Sequence, residues 1–128
     1  GRVVREGKDA TIVTYGMGVK WAETVLDDHP EWSVELIDLR TLVPWDQKMV
    51  SESVSKTGKV LVLHEATMTG GIGGEISAVI HENCWQSLDA PVARTASLDT
   101  PVPFASDLER EFMANCRLEA DLEALLNR

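Results

Sequence analysis

Two kinds of hydrophobic pattern alternate along the chain. Runs of β-branched and other apolar residues predict strands at residues 11–15, 34–39, 59–63 and 92–97, and Val3–Arg5 is predicted to add an edge strand. Between these runs, apolar residues recur at intervals of three and four, which is the spacing of an amphipathic helix. We therefore expect helices at residues 19–29, at about 46–56, after the glycine-rich stretch 69–74, from residue 106 and over the last residues, with a break near Asn115.

Polar residues and glycines mark where some of these helices should begin and end. Asp46 is placed to cap the second helix, and Gly58 lies just beyond its end. Ser106 and Glu109 have the spacing of a capping box, in which each side chain bonds a free amide of the first turn. The second helix has the weakest pattern, because its three serines are poor helix formers.

The alternation of strands and helices predicts an α/β fold. Consecutive strands joined by helices form a largely parallel sheet with right-handed crossovers and helices on both faces. We therefore expect a three-layer α/β/α sandwich in which residues 1–128 form one domain, since cores usually divide only at about 250 residues. The chain begins at Gly1 without an initiator methionine, and we expect it to be a fragment of a longer protein.

Charge narrows the range of partners. The chain carries 12 Lys and Arg against 21 Asp and Glu, a net charge of −9. This charge repels nucleic acid and anionic membranes and attracts a basic partner. No apolar run is long enough to span a bilayer and no signal peptide is apparent, so we expect a cytoplasmic protein. Its two cysteines, Cys84 and Cys116, could form one disulfide, but we expect buried reduced thiols.

The best candidate for a ligand site lies between the third predicted strand and the helix that follows it. His64 and Glu65 end the strand, and Gly70, Gly71 and Gly73 precede or open the helix. The glycines either allow close packing or bring helix amides to an anion, but their spacing matches neither a dinucleotide fingerprint nor a P-loop. His64 is either a general acid or base or a structural histidine bonded at the rim of the sheet.

Two regions are candidates for contact with another protein. Trp45 lies beside Pro44 in a predicted loop, and we expect it to be exposed and to contact another domain or chain. The acidic C-terminal stretch, which contains Glu109, Glu119 and Asp121, is either a solvated face or a docking surface for a basic partner.

Several longer strings carry a family resemblance. VVREGKDATIVTYG, VELIDLRTLVPWD, SVSKTGKVLVLHEA, TGGIGGEI and LDAPVAR follow one another in this order. Together they resemble the C-terminal domain of the beta subunit of the decarboxylating component of 2-oxo acid dehydrogenase complexes, within the transketolase C-terminal family. The resemblance implies a mixed five-stranded sheet with one antiparallel edge strand. PWD after IDLRT is most similar to the branched-chain (2-oxoisovalerate) enzymes, and a pyruvate dehydrogenase or transketolase-like parent is the alternative.

The same resemblance implies what this domain does and does not do. Such enzymes decarboxylate a 2-oxo acid with thiamine diphosphate and magnesium and pass the acyl group to lipoyl. The GDG that opens the family's cofactor motif does not occur here, so we expect no catalytic, cofactor-binding or metal-binding residue, no bound cofactor and no activity in this fragment alone.

The implied roles are contacts with other subunits in a dimer or heterotetramer and docking of the small, basic subunit-binding domain of the acyltransferase core. The location would be cytoplasmic, or the mitochondrial matrix in a eukaryote. Members of the family usually have a proline before the last helix, where this chain has Met113-Ala114-Asn115-Cys116. A function of another class is a small-anion-binding regulatory module built on Gly70–Gly74 and His64.

Overall fold

A computed structural model describes all residues from 1 to 128. Five strands form one sheet in the order β1-β3-β2-β4-β5. Their bounds are Arg2–Arg5 (β1), Ala10–Thr14 (β2), Val34–Asp38 (β3), Val60–Thr67 (β4) and Ala93–Ser97 (β5). The edge strand β1 pairs antiparallel with β3, and all other pairs are parallel. The predicted mixed sheet with one antiparallel edge strand is confirmed.

Five α-helices and one short 3₁₀ helix cover and connect the strands. The α-helices span Met17–Asp28 (α1), Gln47–Thr57 (α2), Ile72–Cys84 (α3), Ser106–Phe112 (α4) and Asn115–Leu126 (α5), and the 3₁₀ helix spans Trp85–Ser87. The break between α4 and α5 falls at residues 113 and 114, next to Asn115 as predicted. None of these helices has the length and apolar character needed to cross a membrane.

Each face of the sheet carries its own apolar core. On one face, α1 and α5 pack Leu26, Leu118 and Leu122 against inward residues of β2, β3 and β4 such as Ile12. On the other face, α2 and α3 bring a second set, which includes Val54, against the alternate residues of the same strands. Because successive side chains of a strand point to opposite faces, the central strands β2, β3 and β4 are apolar along most of their length. This is the predicted three-layer sandwich.

Helix α2 shows why its sequence pattern was weak. Asp46 caps it by accepting a hydrogen bond from the Met49 amide at 3.1 Å, and Gly58 ends it in the left-handed conformation. Ser53, a poor helix former, is buried and bonds the Thr11 hydroxyl at 2.7 Å. Ser53 therefore contributes to the contact between α2 and the sheet rather than to the stability of the helix itself.

Four local predictions were wrong. Strand β4 continues to Thr67 rather than ending at residue 63, and α3 begins at Ile72, so that Gly73 lies inside its first turn. Ser106 does not cap α4, because Ala105 occupies the capping position and no side chain bonds the free amides there. Both cysteines are free thiols, but only Cys84 is buried, whereas Cys116 is exposed.

Candidate functional site

The order of the strands points to one edge of the sheet as the place for a site. The chain passes from β2 to β3 on one side of β2 and then returns to β4 on the other side. Parallel α/β sheets bind ligands at the carboxyl ends of strands, where the chain departs in opposite directions. Here that position lies between β2 and β4, and Tyr15 and Glu65 stand at or near the carboxyl ends of these strands.

His64 has a structural role at this edge. Its side chain is fully buried, and Nδ1 lies 2.9 Å from the Ala66 carbonyl oxygen, to which it donates a hydrogen bond. Burial lowers the pKa of His64 below its usual value, and the positive charge of Arg94 acts in the same direction. The ring is therefore neutral near pH 7, with Nε2 unprotonated and without a hydrogen-bond partner. These contacts are the ones expected of a structural histidine at the rim of the sheet, and a ligand contact of His64 stays a prediction.

The glycines of the predicted ligand loop make room for this ring. A Cβ on Gly71 would lie 2.5 Å from His64 Cε1, and a Cβ on Gly73 would lie 2.5 Å from Nε2. Gly70 has a φ of 78°, which a residue with a side chain rarely adopts. Close packing therefore explains Gly71 and Gly73, and a turn explains Gly70. Contact of this loop with an anion stays a prediction.

Glu65 and Glu109, which are 44 positions apart in the sequence, line the same pocket. The pocket has a volume of about 370 Å³ and opens at the carboxyl ends of β2 and β4. Its remaining wall is mostly apolar or aromatic and consists of Tyr15, Ala66, Thr67, Val102, Phe112 and Met113. Burial raises the pKa of Tyr15, and the negative charge of Glu65 raises it further.

The other acidic candidates lie elsewhere and have intramolecular partners. Glu119 on α5 accepts a hydrogen bond from His29 Nε2, and Asp121 accepts one from the Thr95 hydroxyl at 2.7 Å. They belong to a layer, α1 with α5, that carries six acidic and two basic residues. The opposite layer, α2 with α3, carries three acidic and two basic residues. The negative charge is therefore concentrated on the α1/α5 layer.

Trp45 is not exposed as predicted. It is half-buried and packs against the core beneath α2 and α3. Six of the seven exposed large apolar residues instead follow strands or line the loops at the carboxyl edge, and the seventh, Trp85, is in the 3₁₀ helix. The six are Met17, Val43, Leu98, Val102, Phe104 and Leu108. Sequence patterns missed this surface because its residues come from the segments after three different strands and from α4.

No group of three or more His, Cys, Asp or Glu side chains is arranged to hold a metal ion. His81 and Cys84 are three residues apart on α3, but His81 Nδ1 lies 2.7 Å from the Ser77 carbonyl oxygen of its own helix.

Comparison with known families decides which family the fold belongs to. The profile described as "Transketolase, C-terminal domain" matches residues 1–117. This chain belongs to the transketolase C-terminal domain family. Among solved structures, "Split gene transketolase, inactive beta4 tetramer" superimposes on 98% of this transketolase C-terminal domain and on 41% of its own chain, with a TM-score of 0.81 and 25% identity.

Curated relatives of this transketolase C-terminal domain include subunits of 2-oxo acid dehydrogenases. The mitochondrial 2-oxoisovalerate dehydrogenase subunit beta 2 of Arabidopsis thaliana is 52% identical over 103 residues, which are 79% of this chain and 29% of the relative. The pyruvate dehydrogenase E1 component subunit beta of Rhizobium meliloti is 37% identical over 116 residues, 89% of this chain and 25% of the relative. The chain spans less than a third of the length of either relative.

Proposed function

We propose that this chain is the C-terminal domain of the beta subunit of a branched-chain 2-oxo acid dehydrogenase. The enzyme would decarboxylate 3-methyl-2-oxobutanoate and transfer the acyl group to lipoyl, in the bacterial cytoplasm or the mitochondrial matrix. The observation that carries the proposal is the 52% identity to a 2-oxoisovalerate dehydrogenase beta subunit, against 37% to a pyruvate dehydrogenase beta subunit.

The residues of this domain do not fit the family's cofactor, thiamine diphosphate with magnesium. No cluster of carboxylate or imidazole side chains could hold the metal ion, and the sequence lacks the GDG that opens the cofactor motif. His64, the one imidazole near the candidate site, is buried and directs Nδ1 to a backbone carbonyl. We therefore propose that other parts of the enzyme bind the cofactor and that this domain supports assembly.

The substrate preference of the intact enzyme tests the proposed parentage. We expect the enzyme that contains this chain to show a kcat/KM for 3-methyl-2-oxobutanoate at least about tenfold above that for pyruvate, the size of difference that a few apolar contacts produce. A preference for pyruvate would overturn the proposal in favour of a pyruvate dehydrogenase.

Assembly of the enzyme would involve two kinds of contact, and a different surface of this domain supports each of them. The exposed apolar residues at the carboxyl edge favour contact with other domains or subunits, because monomeric proteins rarely leave such residues grouped in solvent. The α1/α5 layer favours docking of the basic subunit-binding domain of the acyltransferase, because its charge is complementary.

Three carboxylates of the α1/α5 layer are free for such docking. Glu23, Asp28 and Glu123 are exposed and form no intramolecular ion pair, whereas Glu119 and Asp121 are held by His29 and Thr95. Asp27 is paired with Arg5 at 3.3 Å. We therefore propose Glu23, Asp28 and Glu123 as the residues that attract the basic domain.

A further inference from the structure

The pocket between β2 and β4 contains two carboxylates that none of the roles above uses. It joins an apolar and aromatic wall, which includes Tyr15, Phe112 and Met113, to two carboxylates, Glu65 and Glu109. Phe112 is almost completely buried and Tyr15 is half-buried, whereas Glu65, Val102 and Glu109 are exposed. The pocket therefore joins side chains anchored in the fold to carboxylates that a partner can reach.

The two carboxylates of the pocket have no partner within the chain. Every ion pair of the molecule involves other acidic residues, and neither Glu65 nor Glu109 accepts a side-chain hydrogen bond. The nearby Tyr15 hydroxyl has a raised pKa, partly because of the Glu65 charge, and so it is neutral and cannot offset that charge. Two uncompensated negative charges next to apolar walls form an environment that a cation would stabilise.

The surroundings of the pocket indicate that the cation belongs to a protein. The exposed apolar rim of the pocket is Val102, which is 64% exposed, and Phe104 and Leu108, which follow it in the chain, are exposed as well. A free small cation would leave this apolar rim in water, whereas a protein segment can cover the rim and place a charged side chain in the pocket. Protein interfaces have this arrangement, in which an anchoring side chain enters a pocket that apolar contacts surround.

We infer that this pocket receives an arginine side chain of a partner protein. A planar guanidinium has five donors directed to several sides, so it can bond carboxylates of the lining, while its faces stack on aromatic rings such as that of Tyr15. A lysine ammonium is a compact point charge that stacks less well and fits a wall of this kind less closely. The inference rests on the pocket alone and does not depend on the proposed parent enzyme.

A capped tripeptide, leucine–arginine–leucine, tests the inference on the chain as it exists. Its leucines match the apolar rim, and the same peptide with citrulline in place of arginine keeps the shape without the charge. In ¹⁵N–¹H NMR titrations at low salt, we expect saturable shifts of the amides of Tyr15, Ala66, Thr67 and Met113. We expect the citrulline peptide to bind at least about tenfold more weakly, because charge-assisted hydrogen bonds are the stronger ones.

Two double variants distinguish binding of the peptide in this pocket from its general attraction to an acidic protein. Glu65→Gln combined with Glu109→Gln should weaken binding of the arginine peptide by about tenfold, because both carboxylates contribute. The matched control, Glu75→Gln with Glu82→Gln, removes the same charge from exposed positions on α3 and should change binding by less than about twofold. All four side chains are exposed, so we expect the variants to fold.

Three outcomes would overturn the inference. The first is equal binding of the arginine and citrulline peptides to the unaltered chain, which needs no variant at all. The second is an equal loss of affinity in the pocket variant and the control variant. The third is a set of shifts that do not saturate or that spread over α1 and α3 instead of the pocket.

Discussion

At the scale of single residues, the close contact between the His64 ring and Gly73 predicts that a side chain at position 73 destabilises the fold. Gly73→Ala places a Cβ 2.5 Å from Nε2 of a buried ring, which we expect to lower the free energy of unfolding by about 1–3 kcal/mol. The neighbouring Gly74 is a matched control, because a Cβ there meets only Arg94 Nη1 at 3.6 Å, an ordinary contact. Gly74→Ala should be neutral or stabilise by about 0.5–1 kcal/mol, since alanine favours a helix. Urea unfolding of both variants measures this, and equal effects would contradict it.

His29 gives the molecule a dependence of stability on pH. Its ring lies between Glu119 and Glu31, and hydrogen bonds to these carboxylates, that to Glu119 first, raise the pKa of His29 above its usual value. The folded state therefore binds this proton more tightly than the unfolded state does. The resulting stability is complete below the unfolded pKa of about 6.5 and is lost as pH rises through the raised folded pKa.

Unfolding in urea between pH 6 and 9 tests the role of His29. We expect the free energy of unfolding to fall across this range in the unaltered chain and to fall less in His29→Gln. Glu119→Gln should reduce the same slope, because the bond to Glu119 is the largest cause of the raised pKa. A slope that is unchanged in both variants would show that another group is responsible.

The pocket was only partly predictable from the sequence. Glu65 and Glu109 were each a candidate on local grounds, the first at the end of a strand and the second in an acidic stretch. Their meeting in one pocket depends on where α4 lies relative to β4, which involves contacts over more than 40 positions. Close packing was one of the two predictions for Gly73, but its partner, the inward-facing ring of His64, could not be read from the sequence.

At the scale of elements, one ion pair adds to the apolar contacts that hold α2 on the sheet. Glu35 on β3 is 3% exposed and is bonded by Lys56 of α2, whose own side chain is 46% exposed. Burial alone would raise the pKa of Glu35, but the bond from Lys56 and further hydrogen bonds lower it overall. The carboxylate is therefore charged and depends on this partner.

Removing the Lys56 side chain should therefore lower the stability of the folded domain. Lys56→Met leaves the Glu35 carboxylate buried without its main partner, and we expect the free energy of unfolding to fall by about 1–3 kcal/mol. Lys48→Met, on the same helix, is the control, because its pair with Glu52 is 3.9 Å long and largely exposed. Its effect should stay within about 0.5 kcal/mol. Losses of similar size in the two variants, measured by urea unfolding, would contradict this account.

The elements themselves were largely predictable, because each strand and helix carries its own period of apolar residues. The errors fall where tertiary contacts override local pattern. Strand β4 continues through Glu65 to Thr67 because it pairs there with β5, as the partner Ser97 shows. Ser53 was counted against α2 as a poor helix former, yet its hydroxyl is bonded to Thr11 across the helix–sheet contact.

At the scale of the whole molecule, charge and apolar surface are separated. The α1/α5 layer carries more net negative charge than the α2/α3 layer, while the carboxyl edge holds most of the exposed apolar side chains. A domain with one role would need only one such surface. Two different surfaces support the proposal that this transketolase C-terminal domain contacts other subunits at the edge and a basic partner on the helical layer.

The most direct test of this account is a calorimetric titration of the chain with the subunit-binding domain of a branched-chain acyltransferase at low and high salt. We expect binding at low salt that weakens at least about tenfold at 0.5 M salt, because exposed charges are screened over a few ångströms there. The triple variant Glu23→Gln, Asp28→Gln, Glu123→Gln should bind more weakly at low salt and lose most of the salt dependence. Absence of binding at low salt, or binding that salt and this variant leave unchanged, would contradict docking through the α1/α5 layer.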